Sequence, residues 1–467
     1  MSYIPADYSS TAPSPSDWVN QNNSDRSSTY SVVVFFFLAL HIPIGVIMKQ
    51  NPMLAAVHAF GSLGIGLLWL AIDRQPFKLI YITAYITGSE VLWRASNAPI
   101  FWEFGKYAVS LLLALAMFRY HKLANASKLG LMYFLLLVPA IALMPTFDRE
   151  AISWSLSGPF SMAIAIMFFS TVHLTNYHLR RLLLALCAPV VGLAFLTAFE
   201  TISAGTIAFR ASSLSVTSAG YGPNQVSSIL GLGALAVLLY IFSDQDGYIS
   251  LKVILVGLVI WLGVQSALTF SRSGLWTMLG SIVGASGFLF RDSRSRINFL
   301  VTGIGVFFIV AYLVYPSINE LTNGTLETRF LNTEPTGRLE AIAADLQAFQ
   351  DHWLTGIGVG QANDYHDDLG LAAGVHTEYS RLLAEHGLFG FGALLMLFFL
   401  VVQRLRLGLP PLEKAFIISV TVWALLYMTH AAMRLVAPSL MFGLGSAVFS
   451  EYEDPVERTL SEGGSNG

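Results

Sequence analysis

The feature that most constrains this chain is repetition: apolar stretches about 16 to 22 residues long recur through almost its whole length, matching the ~20 residues a helix needs to cross a hydrocarbon core. Two clear examples occupy residues 31–48 and 251–268. A transmembrane barrel would instead show short alternating segments of about 10 residues, which these continuous stretches do not resemble. The expected fold class is therefore all-α, a polytopic integral membrane helical bundle. Composition agrees, since 54% of the 467 residues are hydrophobic and 12% are charged, well under the roughly 25% charged content of soluble domains. Mean hydropathy is +0.61.

About fourteen transmembrane helices can be read, each needing ~20 apolar residues. They centre near Phe37, Leu63, Thr87, Leu112, Leu136, Ala165, Gly192, Gly233, Val259, Ser281, Val306, Leu395, Val420 and Leu440. Threading the loops alternately puts Arg74, Lys78, Arg119, Lys122, Lys128, Arg180, Arg181, Lys252, Arg291, Arg294, Arg296, Arg404, Arg406 and Lys414 on one side. With Arg26 and Arg458 in the tails, that side holds sixteen of the 26 basic residues. An excess of Lys and Arg marks the cytoplasmic face. Both termini are thus expected in the cytoplasm, with a single membrane domain over 31–450 between two disordered tails, 1–30 and the acidic 451–467. No basic leader with a short apolar core and cleavage pattern is visible at the start, so Met1 is expected to remain on the mature protein.

The other ten basic residues fall on the opposite side and are mostly arginines: Lys49, Arg94, Lys106, Arg149, Arg210, Arg272, Arg329, Arg338, Arg381 and Arg434. Such arginines can snorkel or pair with local acids. As a group they point to an anionic ligand, because a planar guanidinium binds a phosphate or carboxylate through two parallel hydrogen bonds. Several lie in one polar stretch, 315–388, far longer than an ordinary connection. Its core, 316–387, is expected to be an extracytoplasmic catalytic loop containing amphipathic helices.

Within it, Leu339, Ile342, Leu346 and Phe349 have helical spacing, so a surface helix is expected over 337–350 with Arg338 and Glu340 in its first turn. Gly356-Ile357-Gly358-Val359-Gly360 lacks the βαβ context and following helix of a dinucleotide site, and reads as a tight turn. His376 begins a segment in which Tyr379, Leu382 and Leu383 can face the membrane while His376 and Glu378 stay in water. An imidazole with an unperturbed pKa near ~6.5 suits proton transfer near neutrality. Upstream, Ser271-Arg272-Ser273-Gly274 interrupts an apolar hairpin, where an arginine drawn into hydrocarbon would cost ~2.5 to 3.5 kcal/mol and so calls for a partner. Arg210 lies in another loop on the same side, before a Gly220-Tyr221-Gly222-Pro223-Asn224 turn.

Metal chemistry has weaker support. Asp364, His366, Asp367 and Asp368, and the Asp244-Gln245-Asp246 pattern, read as solvated loops rather than ligand sets, so no metal and no cofactor are expected. The single cysteine, Cys187, sits in an apolar run and excludes a disulfide framework. A net charge of −3 offers no basic surface for nucleic acid.

Taken in order, Ser271-Arg272-Ser273-Gly274, Thr336-Gly337-Arg338-Leu339-Glu340, the run 353–360, and His376-Thr377-Glu378-Tyr379-Ser380-Arg381 continuing to Gly390 resemble the O-antigen ligase and polymerase superfamily over residues 269–398. Arg210 followed by Gly222-Pro223-Asn224 also looks like a pattern of that family. Thr377 departs from it, since Asn is frequent there. The resemblance implies a metal-independent, inverting membrane glycosyltransferase that takes glycan from a polyprenyl-pyrophosphate-linked donor and passes it to a glycan or lipid-linked acceptor hydroxyl. It acts at the outer face of a bacterial cytoplasmic membrane, as a ligase or as a polysaccharide polymerase. It further implies Arg272, Arg338 and Arg210 as pyrophosphate-binding residues and His376 as catalytic base, with Glu378 and Arg381 as possible support. A lipid-linked glycan flippase or secondary transporter is the alternative of another class. That would call for internal repeats and ionisable residues at mid-membrane, for which Glu90 and Glu200 are the nearest candidates.

Overall fold

The structure, a computed structural model, describes residues 15–205, 207–210, 212–243, 249–332, 337–371 and 377–450. The candidate base His376, together with Thr336 and Asp244-Gln245-Asp246, lies outside the described residues. The architecture is all-α and polytopic. Among the described residues, nine helices are long and apolar enough to cross a membrane.

The chain opens with α1 (Pro15–Gln50), α2 (Pro52–Ile72), α3 (Phe77–Ala95) and α4 (Phe104–Arg119). α1 begins inside the segment expected to be an unstructured tail, and its apolar part starts at Thr29. The start of α2 is written locally: Pro52 pre-sets the first turn, and the Asn51 side chain accepts from the Met53 amide at 3.1 Å, capping a donor the helix leaves unsatisfied. One hydrogen-bonded chain ties α1, α2 and α3 together. Trp93 Nε1 donates to His58 Nδ1 at 2.9 Å, His58 Nε2 meets the Tyr85 hydroxyl at 2.8 Å, and that hydroxyl meets His41 Nε2 at 3.0 Å. Because an indole N–H can only donate, His58 must donate from Nε2, Tyr85 donates onward to His41, and His41 Nδ1 donates to the Phe37 carbonyl at 2.8 Å.

α5 (Lys128–Leu135) breaks into a 3₁₀ segment, Val138–Leu143, and is followed by α6 (Arg149–Phe169), a short strand β1 (His173–Leu174) and α7 (Asn176–Ser203). α8 (Pro223–Ser243) is buried along its whole apolar window, packed among α7, α9 (Ile249–Leu268) and α10 (Ser273–Leu289). The α8–α10 approach depends on glycine: a Cβ on Gly274 would lie 1.9 Å from the Ser227 carbonyl oxygen. The Gly274 amide donates to Ser227 Oγ at 3.0 Å, which fixes the start of α10 against α8. α11 (Ser293–Ile309) runs through a π-turn, Val310–Val314, into α12 (Tyr315–Leu321). No part of the apolar window in Ser295–Leu321 is buried inside the protein.

The polar stretch then forms α13 (Thr325–Leu331), α14 (Arg338–Asp351) and α15 (Gln361–Asp368) before α16 (Glu378–Arg406) and α17 (Pro411–Met428) return through the bundle. α14 is the amphipathic helix its spacing predicts. α18 (Ala437–Leu444) ends the fold, with β2 (Val448–Phe449) pairing in parallel with β1. The expected last crossing at Leu440 does not form as one helix. Eight residues of α18 rise about 12 Å, far short of a ~30 Å core.

Candidate functional site

The starts of three helices meet at one end of the bundle. Asn224 is the second residue of α8, Ser273 opens α10, and Arg338 opens α14, and all three line one cavity of about 380 Å³. Helix N-termini present unsatisfied N–H groups and the positive end of the macrodipole, a ready environment for an anion. Into the same cavity project Arg272, Arg329 and Arg338, with His430 from the turn after α17. No carboxylate is among its described lining residues.

Each arginine is placed by a different element. Arg272 stands at the N-cap of α10, and its guanidinium donates to the Asn332 carbonyl beyond α13. Arg329, in the last turn of α13, donates from Nε to the Phe270 carbonyl at 3.1 Å. Phe270 has a left-handed φ of 57° and stacks on Phe209 at 5.6 Å. Gly337, also left-handed at φ 64°, directs the chain into α14 and Arg338. Burial holds the Arg338 pKa below arginine's ordinary value, and the neighbouring Arg272 and Arg329 guanidiniums add to the effect. Arg329 is lowered too, by burial and then by Arg272. Three like charges gathered with no acid among the described lining residues favour the entry of an anion.

Of the arginines read from sequence, the structure brings Arg272 and Arg338 together and adds Arg329, which no local pattern had singled out. Arg210 is exposed and outside the lining; its neighbour Phe209 stacks on Phe270, whose carbonyl accepts from Arg329. Other basic residues on this side have structural partners instead. Lys49 donates to the Ala95 and Ala219 carbonyls, Arg94 pairs with Glu90 at 2.6 Å, and Lys106 pairs with Glu103 at 2.6 Å. Glu90 also accepts from the Val436 amide at 2.7 Å.

Glu378 and Arg381 lie elsewhere than expected. Glu378 was expected in water but is 1% exposed, and Arg381 is 2% exposed. Arg381 bridges Glu378 at 2.6 Å and Glu385 at 2.7 Å and donates to the Ser155 carbonyl at 3.1 Å. Glu378 in turn accepts from the Met433 amide at 3.3 Å. This triad joins the first turn of α16, two residues past His376, to α6 and to the turn that carries His430.

Two further devices hold the polar stretch. His366 and Ser380 both bond the Asp345 carboxylate, at 2.8 and 2.5 Å, locking α14 to α15 and α16. His366 therefore points inward. Among the described residues there is no group of three or more His, Cys, Asp or Glu placed to hold a metal ion. The glycine run is a tight turn with left-handed φ at Gly356, Gly358 and Gly360, although α15 follows it directly, a helix not expected there. Its Ile357 and Gly358 amides donate to the Ala384 and Glu385 carbonyls at 2.9 and 3.1 Å. Gly387, with φ 56° and ψ −131°, breaks α16 beside it.

A second, apolar cavity of about 780 Å³ runs between α8–α10 and the exposed face of α11 and α12. Met278, Val306 and Phe307 are among its walls, and Phe330 of α13 lines both it and the arginine cavity. A polytopic helical membrane protein with an arginine-lined cavity that shares Phe330 with an apolar groove is the class that fold and site define. Residues 257–395 match the family model described as O-antigen ligase. Over that stretch, less than half of the chain, the protein is similar to the O-antigen ligase family. No curated protein matches the chain.

Proposed function

We propose that this protein transfers a glycan from a polyprenyl-pyrophosphate donor to an acceptor hydroxyl. The observation that carries the reading is the shared wall at Phe330: a cavity with three arginines, and no acid among its described lining residues, adjoins an apolar groove. A diphosphate joined to a long apolar chain matches both halves. Arg272, Arg329 and Arg338 hold the diphosphate, and Arg210 approaches it from the loop before α8. His376 takes the acceptor proton as the acceptor oxygen bonds to the anomeric carbon. The bond from that carbon to the donor phosphate breaks, and its electron pair leaves on the diphosphate. Guanidiniums neutralise this developing charge without reorganising. Attack opposite the leaving group inverts the anomeric centre, and no metal is needed.

Glu378 and Arg381 support the reaction through structure, by anchoring the turn that follows His376. The end of the bundle bearing Lys78, Lys122, Arg404 and Lys414 is assigned to the cytoplasm by the positive-inside rule, which puts the arginine cavity outside. The test is to incubate purified protein with a polyprenyl-pyrophosphate glycan, chelator and no nucleotide sugar, offering lipid A core in one tube and a lipid-linked repeat in another. Transfer should survive chelation and fall about 10²- to 10⁴-fold in His376→Ala, the usual contribution of a positioned base. Full activity in that variant, or a strict need for a divalent ion, would refute the mechanism. The tube that turns over distinguishes a ligase from a polymerase.

A further inference from the structure

Of the two acids that stand out within apolar runs, Glu90 is engaged by Arg94 and the Val436 amide, whereas Glu200 has no part in the chemistry above. Glu200 lies near the end of α7 in a cavity of about 330 Å³, with Ser203, Ser215 and Gly220 among the other described lining residues. Among the described residues, no ion pair or hydrogen bond engages its carboxylate or the two serine hydroxyls. Lys49 Nζ stands close behind this wall, 3.8 Å from where a Cβ on Gly220 would be, and is bonded to the Ala95 and Ala219 carbonyls.

Tyr221 follows Gly220, and its ring centroid lies 6.0 Å from that of Trp102. Trp102 is 52% exposed. Exposed aromatics such as Phe35, Phe36 and Phe307 belong to helices apolar enough to cross a membrane, but Trp102 occupies the turn between α3 and α4. Its ring is held in place. The Arg94 guanidinium sits over the ring, 4.4 Å from its centroid, and donates to the Trp102 carbonyl at 2.9 Å. The same guanidinium donates to the Tyr221 hydroxyl and to the Arg434 carbonyl, both at 3.2 Å. An indole fixed in this way loses little freedom when a ligand covers its open face.

Both features border the arginine cavity on the side away from the groove. Gly220 lines the Glu200 cavity and Asn224 the arginine cavity; four residues apart, they are separated by no more than about 14 Å. Arg434, bonded to Arg94, belongs to the turn that carries His430, another lining residue of the arginine cavity. Trp102, Tyr221 and Glu200 are not among the described residues that line the apolar groove. A sugar ring offers what this rim can bind. Its face of polarised C–H groups suits the electron-rich face of an indole. Its edge of hydroxyls donates to a carboxylate, and donates to or accepts from serines.

We propose that Trp102 and the Glu200 cavity form a subsite for the glycan of the lipid-linked donor. Trp102 stacks on a sugar ring, and Glu200, with Ser203 and Ser215, bonds sugar hydroxyls. The proposal rests on the reading of the arginine cavity as a diphosphate site: with the lipid chain in the groove and the diphosphate among the arginines, the sugars extend over this rim.

The experiment measures binding to the full chain in nanodiscs with two probes, undecaprenyl diphosphate and the undecaprenyl-diphosphate-linked glycan purified from the cells that make this protein. Wild type should bind the glycan-bearing lipid more tightly. Trp102→Ala should cut that added affinity about 2- to 12-fold, the size of an aromatic contact, and Trp102→Tyr should recover part of it. Glu200→Gln should cut it about tenfold, the lower end for a charge-assisted hydrogen bond at a partly exposed site. Binding of undecaprenyl diphosphate should not change in either variant, which also reports that they are folded. Radical footprinting reads the same contact in wild type: the linked glycan should protect Trp102 from oxidation, and undecaprenyl diphosphate should not. Equal affinity of the two lipids for wild type, equal oxidation of Trp102 with both, or an added affinity that survives in either variant overturns this proposal and leaves the diphosphate reading intact. So does an equal loss for both lipids in Trp102→Ala, which would make Trp102 a membrane anchor. Failure of undecaprenyl diphosphate to bind wild type, or binding unaffected by Arg272→Gln, overturns the diphosphate reading and this proposal with it.

Discussion

Arg329 offers the sharpest test, because its role comes from three-dimensional placement alone. It shares the cavity with Arg272 and Arg338 and is held there by its Nε bond to Phe270. Replacing it with glutamine removes one charge and its charge-assisted hydrogen bonds, each worth about 1.5–3 kcal/mol net. At 1.4 kcal/mol per factor of ten, this is a loss of about 10- to 150-fold in kcat/KM. Arg329 is only half-buried, so solvent screening favours the lower part of that range. The assay is initial-rate glycan transfer, paired with the thermal shift produced by pyrophosphate, which should shrink in the variant. Arg329→Lys keeps the charge but loses the fork, and should fall between wild type and Arg329→Gln. Arg149→Gln is the control, an exposed arginine outside the cavity. If Arg329→Gln behaves like Arg149→Gln while Arg272→Gln and Arg338→Gln are impaired, the convergence of three arginines has no catalytic meaning.

Two further substitutions probe the supports. Arg381→Met leaves the Glu378 and Glu385 carboxylates uncompensated in the interior, a change that costs about 3–5 kcal/mol for a buried pair broken on one side. Thermal denaturation in detergent should show it, and adding Glu378→Gln and Glu385→Gln should recover part of the loss; an unchanged melt would show the triad to be dispensable. Gly356→Ala combines a left-handed φ of 74° with a Cβ placed 2.4 Å from the Glu385 carbonyl, whereas Gly370→Ala has φ 71° and open space around it. Both suffer the left-handed penalty of roughly 1–2 kcal/mol. Only Gly356→Ala should also speed proteolysis within 315–388, and equal rates for the two variants would contradict the packing described.

Much of the architecture is legible in the residues because hydrophobicity and period are local properties. Uninterrupted apolar runs identify membrane helices, the Leu339, Ile342, Leu346 and Phe349 spacing identifies α14, and clustered glycines identify the turn at 356–360. Arg272 and Arg338 stand out because arginines at helix starts in an apolar chain need partners. Burial is not local. Glu378, Arg381 and Glu385 have the three- and four-residue spacings of a solvated helix face, yet α16 turns that face into the protein, and nothing in the spacing distinguishes the two outcomes. α18 reads as a crossing because its flanks are apolar, but its helix stops after eight residues.

By itself, then, the sequence determined that this is a helical membrane protein with one long polar segment that carries Arg329, Arg338 and Arg381, since free energies of transfer depend on composition and run length. Only the tertiary structure decided which arginines form a site. Lys49, Arg94, Lys106 and Arg381 answer acids on their own helices or carbonyls brought to them by other elements, whereas Arg272, Arg329 and Arg338 meet around a space with no acid among its described lining residues. It also set His430 against Ser228, 202 residues away in the chain. Charges interact through space according to distance and dielectric, and those distances are set by how the helices pack.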